Sequence, residues 1–238
     1  MSSELTLRPA TGDDLPDIAQ LYLRVREAAV PAMPPIVHSA DSVVAWVTGW
    51  DLSERDVWVA EQDELLGFST LTPTWLDSLY VDPGTQRSGV GTALLDVAKG
   101  LRPDGFALWV FESNEPARAF YRRHGLVELE GTDGSANEER SPDLRMAWLG
   151  NDPLDFLRRQ IDEVDHDLGL LLARQAALTS AVQDHKPVGG AAGRDPVREH
   201  AIAEAVALQA PALGVDRVAR IVDSIITESL DAHERSRG

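Results

Sequence analysis

The chain has 238 residues, no cysteine, and 39 acidic against 22 basic side chains, for a formal net charge of −17. Without cysteine there is neither a disulfide framework nor thiol chemistry, and the carboxylate surplus argues against nucleic acid or an anionic membrane as a partner. An anionic ligand would have to be met by cations or backbone donors gathered locally.

The opening Met-Ser-Ser-Glu-Leu-Thr-Leu-Arg carries no signal-peptide pattern, and no run of ~20 apolar residues follows, so a cytoplasmic protein is expected. All Trp and Tyr residues precede residue 150, and beyond it Phe156 is the last of these rings. The part after 150 is rich in Ala, Leu, Val and Ile and reads as all-helical. Two domains are expected, 1–150 and 151–238.

Leu5 and Leu7 suggest a first strand. Thr11-Gly12-Asp13-Asp14 then starts a helix with Leu15, Ile18, Leu21 and Val25 on one face. A second helix is expected from Ser42 to about Trp50. Asp56–Glu61 and Leu65–Leu71 read as strands joined by a Gln62-Asp63-Glu64 turn, and Trp75–Val81 as a third, ended by Asp82-Pro83-Gly84. A glycine-bearing loop, Gln86-Arg87-Ser88-Gly89-Val90-Gly91-Thr92, leads into a helix reaching about Leu101. A strand (Phe106–Phe111), a short helix (Glu115–His124) stopped by Gly125, and two more strands (Leu126–Glu130 and Leu144–Trp148) complete the half.

A glycine turn between a strand and a helix leaves first-turn N–H groups without intrahelical partners. Together with the helix dipole they suit a phosphate or diphosphate. The spacing Gln86-x-x-Gly89-x-Gly91 lacks the Gly-Lys-Ser/Thr of a P-loop and the third glycine of a dinucleotide fingerprint. It resembles the coenzyme A loop of the GNAT superfamily of N-acetyltransferases. Asn114-Glu-Pro-Ala-Arg-Ala-Phe-Tyr-Arg-Arg-His-Gly resembles that family's helix after strand five, and the element order over about 4–149 fits its α/β fold, a mostly antiparallel mixed sheet with helices on both faces.

The resemblance implies acetyl-CoA as donor, no metal, and direct attack by a small amine on the thioester. It places Tyr121 as the acid for the leaving thiolate, with Asp77 or Glu112 as the base. Backbone groups near Tyr80 and Val81 would pair with the pantetheine amides. Asn114 would bind the same arm, and Gln86, Arg87, Ser88, Gly89, Val90, Gly91 and Thr92 would hold the diphosphate. Residues 31–50 would wall the acceptor, where His38 is a candidate contact.

In the second half, Asp152 caps a helix with Pro153 at its first position. Leu157, Ile161, Val164, Leu168, Leu171, Gln175, Leu178 and Val182 follow at alternating steps of four and three, a heptad-like seam with one polar member. After the Gly-rich stretch following Lys186, Asp195-Pro196 opens a second helix. A third runs from Asp216 to about His233.

This arrangement resembles the all-α class of chorismate mutases over about 155–234. The resemblance implies an intertwined homodimer in which Arg158 crosses to the partner's pocket. Lys186 would contact the ether oxygen and a carboxylate. Asp195, Arg198 and Glu199 match an Asp-x-x-Arg-Glu segment in which the arginine binds a carboxylate and the glutamate holds the ring hydroxyl; Ser229 supplies a hydroxyl. Of the basic residues only Lys99 and Lys186 are lysine, an independent hint that Lys186 supplies a compact point charge.

Two positions depart from the family pattern: Gln175 stands where a carboxylate-binding arginine is expected, and His233 where a glutamine donates to the ether oxygen. Arg174 lies about 100° around the helix from Gln175 and substitutes poorly. A protonated His233 could donate, which predicts a rate that falls as pH rises through an imidazole pKa. Three readings stand for this half: a mutase acting on chorismate, isochorismate or 4-amino-4-deoxychorismate, a ligand-sensing domain, or a dimerisation module. The first makes the chain a bifunctional enzyme tied to aromatic metabolism. The other two leave an acetyltransferase alone.

Overall fold

The computed structural model describes residues 4–186, 188 and 193–236. Most of the glycine-rich stretch after Lys186 lies outside them. Contacts divide the chain into two units, 1–158 and 159–238.

The first unit holds two antiparallel sheets. One has the order β1 (Thr6–Pro9), β2 (Asp56–Glu61), β3 (Leu65–Leu71), β4 (Leu76–Val81); the other has the order β5 (Phe106–Phe111), β7 (Asp143–Trp148), β6 (Val127–Thr132). The side-chain alternation of β2 explains the layering. Val57 and Val59 face α1 (Leu15–Ala28) and α2 (Ala40–Thr48), while Ala60, with Trp58 beside it, packs with Val90 and Leu94 of α3 (Val90–Leu101). Phe106, Leu108 and Val110 join a further cluster with Leu95, Tyr121 of α4 (Glu115–Arg123) and Met146.

Helix α2 starts earlier than expected because Ser39, not Ser42, is its cap; the Ser42 N–H donates to Ser39 Oγ at 3.2 Å. Trp75 falls outside β4. It makes a lone parallel bridge to Ala107, where the Ala107 N–H donates to the Thr74 carbonyl at 2.9 Å. Beyond that bridge β4 and β5 form no ladder, so among the described residues the facing edge of β4 has no paired strand.

The first turn of α5 (Pro153–His185) belongs to this unit. Phe156 is buried with Ala107 and Ala147. Gly105, at φ +98°, lies so close beneath it that a Cβ there would sit 2.5 Å from the ring. Phe156→Ala is expected to cost the unit about 3 kcal/mol, measurable by urea unfolding of the full chain; a change under about 1 kcal/mol would show that the first turn of α5 is not part of this core.

In the second unit α6 (Pro196–Gln209) packs on α7 (Val215–Arg235) through Ala203, Ala207, Val218 and Val222. Asp195 caps α6, accepting from the Val197 and Arg198 N–H groups at 3.1 Å each. Along α5 the seam residues Ile161, Val164, Leu168, Leu171, Leu178 and Val182 are all exposed in the single chain. Among the described residues no helix is long and apolar enough to cross a membrane.

Candidate active site

The gap between β4 and β5 opens into a cavity of about 1010 Å3. Its walls include the backbone-bearing residues Tyr80 and Val81, the loop residues Gln86, Arg87, Gly89, Gly91 and Thr92, and Asp77, Asn114 and Tyr121. These expected site residues, from four elements, share one space. Ser88 and Val90 do not line it with their side chains. Ser88 Oγ donates to the Thr85 carbonyl at 2.6 Å, and Val90 is buried in the core. Glu112 is exposed and is not part of the lining; Asp77 and Asp143 are its carboxylates, and Asp143 already accepts from Thr132 Oγ1 and Asn137 Nδ2.

Gly89 caps α3 at φ +97°, a conformation that L side chains rarely adopt, and no side chain caps the helix. The first-turn N–H groups of Val90, Gly91 and Thr92 therefore lack a capping acceptor beside an open cavity. Arg87, itself at φ 64°, and Arg123 line the cavity, and their guanidinium groups form no ion pair among the described residues. In a chain so acidic these are the local cations an anion needs. The set fits the diphosphate of a coenzyme A thioester.

Asn114 caps α4 with its Oδ1, accepting from the Ala117 N–H at 3.3 Å, which leaves its amide N–H groups for a ligand. Tyr121 is buried, and burial, reinforced by Tyr80, pushes its phenol well above the ordinary range. A phenol so shifted stays protonated and acts as a donor. Its hydroxyl makes no hydrogen bond among the described residues. Asp77 reaches solvent at the cavity wall, and the partial burial of its carboxyl raises it, while Thr72, donating to it, and Arg55 both pull the other way. A raised carboxylate is a stronger base.

Sequence reasoning missed the wall opposite. Arg26 is buried to 4% exposure on the face of α1 that also carries Val25. It donates to Glu139 Oε1 at 2.9 Å and the Pro34 carbonyl at 3.2 Å. Burial alone would lower its pKa; Tyr80 and Glu139 outweigh this and hold it raised. A charge on the otherwise apolar buried side of α1 was the available signal. His38 lies outside this lining and pairs with Glu138 at 2.7 Å. Trp109 adds a half-open indole to the lining, stacked on Trp75 at 6.1 Å. Among the described residues no group of His, Asp or Glu side chains could hold a metal ion.

The second-unit candidates are less gathered. Lys186 Nζ donates to the Gly193 carbonyl at 2.8 Å. Glu199 is gripped by Arg194, at 2.6 Å from Oε2, and the same guanidinium reaches Asp223 Oδ1 at 2.6 Å and Thr227 Oγ1 at 3.1 Å. Arg194 holds the Glu199 carboxyl below its ordinary value. Sequence reasoning gave Arg194 no role, although it directly precedes the Asp195 cap. Ser229 is buried and donates to its own helix at the Ile225 carbonyl, 2.7 Å away. His233 Nδ1 lies 2.8 Å from Ser180 Oγ, leaving Nε2 for other contacts. Arg158, Gln175 and Arg198 are exposed, and their side chains form no hydrogen bond among the described residues. Arg158 lies roughly 40 Å along α5 from His185 at 1.5 Å per residue, so it cannot reach a site near Lys186 of its own chain along that helix.

Residues 53–128 match the acetyltransferase (GNAT) domain family, and residues 157–234 match chorismate mutase type II. Peptidyl-lysine N-acetyltransferase YjaB of Escherichia coli is 32% identical over 101 residues, 42% of this chain and 68% of that protein. Peptidyl-lysine N-acetyltransferase YiaC of the same organism is 29% identical over 146 residues, 60% of this chain and 95% of that one. The solution structure of apo-form YjaB shares the fold, with a TM-score of 0.51 at 23% identity over 62% of this chain and 99% of that one. The chain belongs to the GNAT family of N-acetyltransferases and carries, after the acetyltransferase unit, a chorismate mutase type II domain.

Proposed function

We propose that the first unit transfers an acetyl group from acetyl-CoA to a primary amine. The observation that carries this reading is the shared cavity, which joins an uncapped helix start, an open strand edge, a protonated phenol and a carboxylate of raised basicity. When bound, acetyl-CoA supplies a thioester carbonyl for amine attack and a thiolate leaving group. The loop amides, Arg87 and Arg123 hold its diphosphate, and the edge of β4 at Tyr80 and Val81 aligns its arm. Asp77 takes the amine proton, and Tyr121 delivers a proton to the thiolate. The acceptor is a small amine; because YjaB and YiaC are peptidyl-lysine acetyltransferases, a lysine side chain belongs in the same test.

The second domain rearranges chorismate or a close analogue as a homodimer. The open seam of α5 is the dimer contact, and the length of α5 is why Arg158 must serve another copy. Lys186, Arg198, Glu199, Ser229 and His233, with Gln175 and Asp195, are its site. A dimer without turnover, serving only as scaffold or sensor, is the outcome that would remove the mutase.

The test uses the purified full chain. Release of free thiol from acetyl-CoA should depend on an added amine, screened across aromatic amines, small aliphatic amines and a lysine peptide. Chorismate and its 4-amino analogue, incubated separately, should lose their absorbance and yield a prephenate-type mass, and sedimentation should give a dimer. Thiol release indifferent to every amine removes the first assignment; unchanged chorismate compounds remove the second.

A further inference from the structure

His124 ends α4 and faces α3 at the anion end of the cavity, and both of its ring nitrogens are engaged. Nδ1 lies 2.9 Å from the Phe120 carbonyl oxygen, which can only accept, so Nδ1 carries hydrogen. Nε2 lies 3.1 Å from Thr92 Oγ1. On a neutral ring Nε2 is a lone pair, and the Thr92 hydroxyl must donate to it. That directs the single hydroxyl proton of Thr92 at the histidine and leaves only lone pairs for anything else that approaches. Thr92 and His124 both line the cavity with Gly89, Gly91 and Arg87. A phosphate oxygen there would meet like-charged density. Once the ring takes up a proton, Nε2–H donates to Oγ1, the hydroxyl proton turns outward, and a positive charge is added beside the anion.

We propose that His124 is a positioning residue for the donor. It turns the Thr92 hydroxyl from acceptor to donor by gaining a proton as the diphosphate enters. The inference rests on reading this loop as the diphosphate site of acetyl-CoA. The charged groups near the ring come from α3 and α4. From α3, Lys99 Nζ donates to the His124 carbonyl at 2.6 Å, and Asp96, one turn beyond Thr92, is exposed. On α4, Arg123 shares the cavity while Arg122 is engaged by Glu115 and Glu128. The Phe120 ring, 4.4 Å from the imidazole between centroids, can receive its charge.

Dephospho-CoA is the suitable probe. It keeps the diphosphate and lacks the 3′-phosphate, a monoester that itself titrates near pH 6. Calorimetric titration of the full chain is expected to show binding about tenfold tighter at pH 6 than at pH 8, as one charge-assisted hydrogen bond implies. Proton uptake should appear as a dependence of the binding heat on the ionisation heat of the buffer. Thr92→Val and His124→Gln should each flatten the pH profile to within about twofold. If a variant fails to fold, proton uptake by the unaltered protein still decides the matter. A flat profile without proton uptake, or a slope that survives both substitutions, overturns the role of His124 while leaving the coenzyme site standing. Absence of dephospho-CoA binding at every pH removes the site and the inference together.

Discussion

Tyr121→Phe is expected to lower kcat for acetyl transfer roughly 10²–10³-fold while changing the dissociation constant of acetyl-CoA less than about twofold. The phenol lies in the cavity with no hydrogen-bond partner among the described residues, and burial raises it further above neutral pH. Its proton is therefore available to the departing thiolate, a charge that exists only as the thioester breaks. Phenylalanine keeps the ring in its place among Leu126, Val110 and Met146 and removes only the donor. Folding stability should be nearly unchanged, because no hydrogen bond among the described residues is lost. Stopped assays of thiol release, paired with calorimetry of the donor, separate the two quantities. An equal loss in both would show that Tyr121 binds rather than protonates. The pH profile carries a second sign. Asp77 must be ionised to accept the amine proton, and its carboxyl is raised. The rate should therefore climb with pH through a carboxyl value above the ordinary one, and Asp77→Asn should abolish that limb.

The second large effect is expected at Arg198. Arg198→Gln should reduce turnover of a chorismate-type substrate roughly 10–100-fold, the loss of one charge-assisted contact of about 1.5–3 kcal/mol. The side chain is exposed in the single chain, so the melting temperature and the sedimentation coefficient should hold. Arg194→Gln supplies the contrast. It would release Glu199 from its clamp, where the ion pair holds the carboxyl ionised, and so should impair the mutase through Glu199 rather than through a substrate carboxylate. The depressed carboxyl of Glu199 adds stability that is present above its unfolded pKa and is lost as pH falls through the folded value. Acid unfolding of the second unit should therefore shift upward in pH once Arg194 is removed. Unaltered chorismate turnover in Arg198→Gln would leave the helical domain as scaffold.

Much of this architecture was legible along the chain because the signals are local. The alternation of Val57, Trp58, Val59 and Ala60 marks a strand, and Asp195-Pro196 marks a helix start, since each depends on neighbours a few residues away. The anion loop could be read for the same reason. The backbone needs glycine at position 89 whatever surrounds it, and the structure gives that glycine φ +97°. Ser88 and Val90 show the limit. They belong to the same stretch, yet one hydroxyl turns to Thr85 and the other side chain enters the core, because loop curvature and helix packing choose those directions.

Residues whose role depends on distant partners were not legible. Arg26 meets Glu139 across 113 residues, and His124 meets Thr92 across 32. Neither pairing leaves a periodic trace, because fold topology rather than chain distance brings them together.

The order of elements, the helix starts other than that of α2, and the two family motifs were determined by the sequence alone, since hydrophobic period, capping chemistry and glycine placement act within a turn or a strand. Only the tertiary structure decided that β4 and β5 separate after Trp75 and Ala107, that Asp77 rather than Glu112 lines the cavity, that burial raises the Tyr121 phenol, and that Arg194 holds Glu199. Those outcomes depend on burial and on the charge environment, which arise when remote segments displace water from one another.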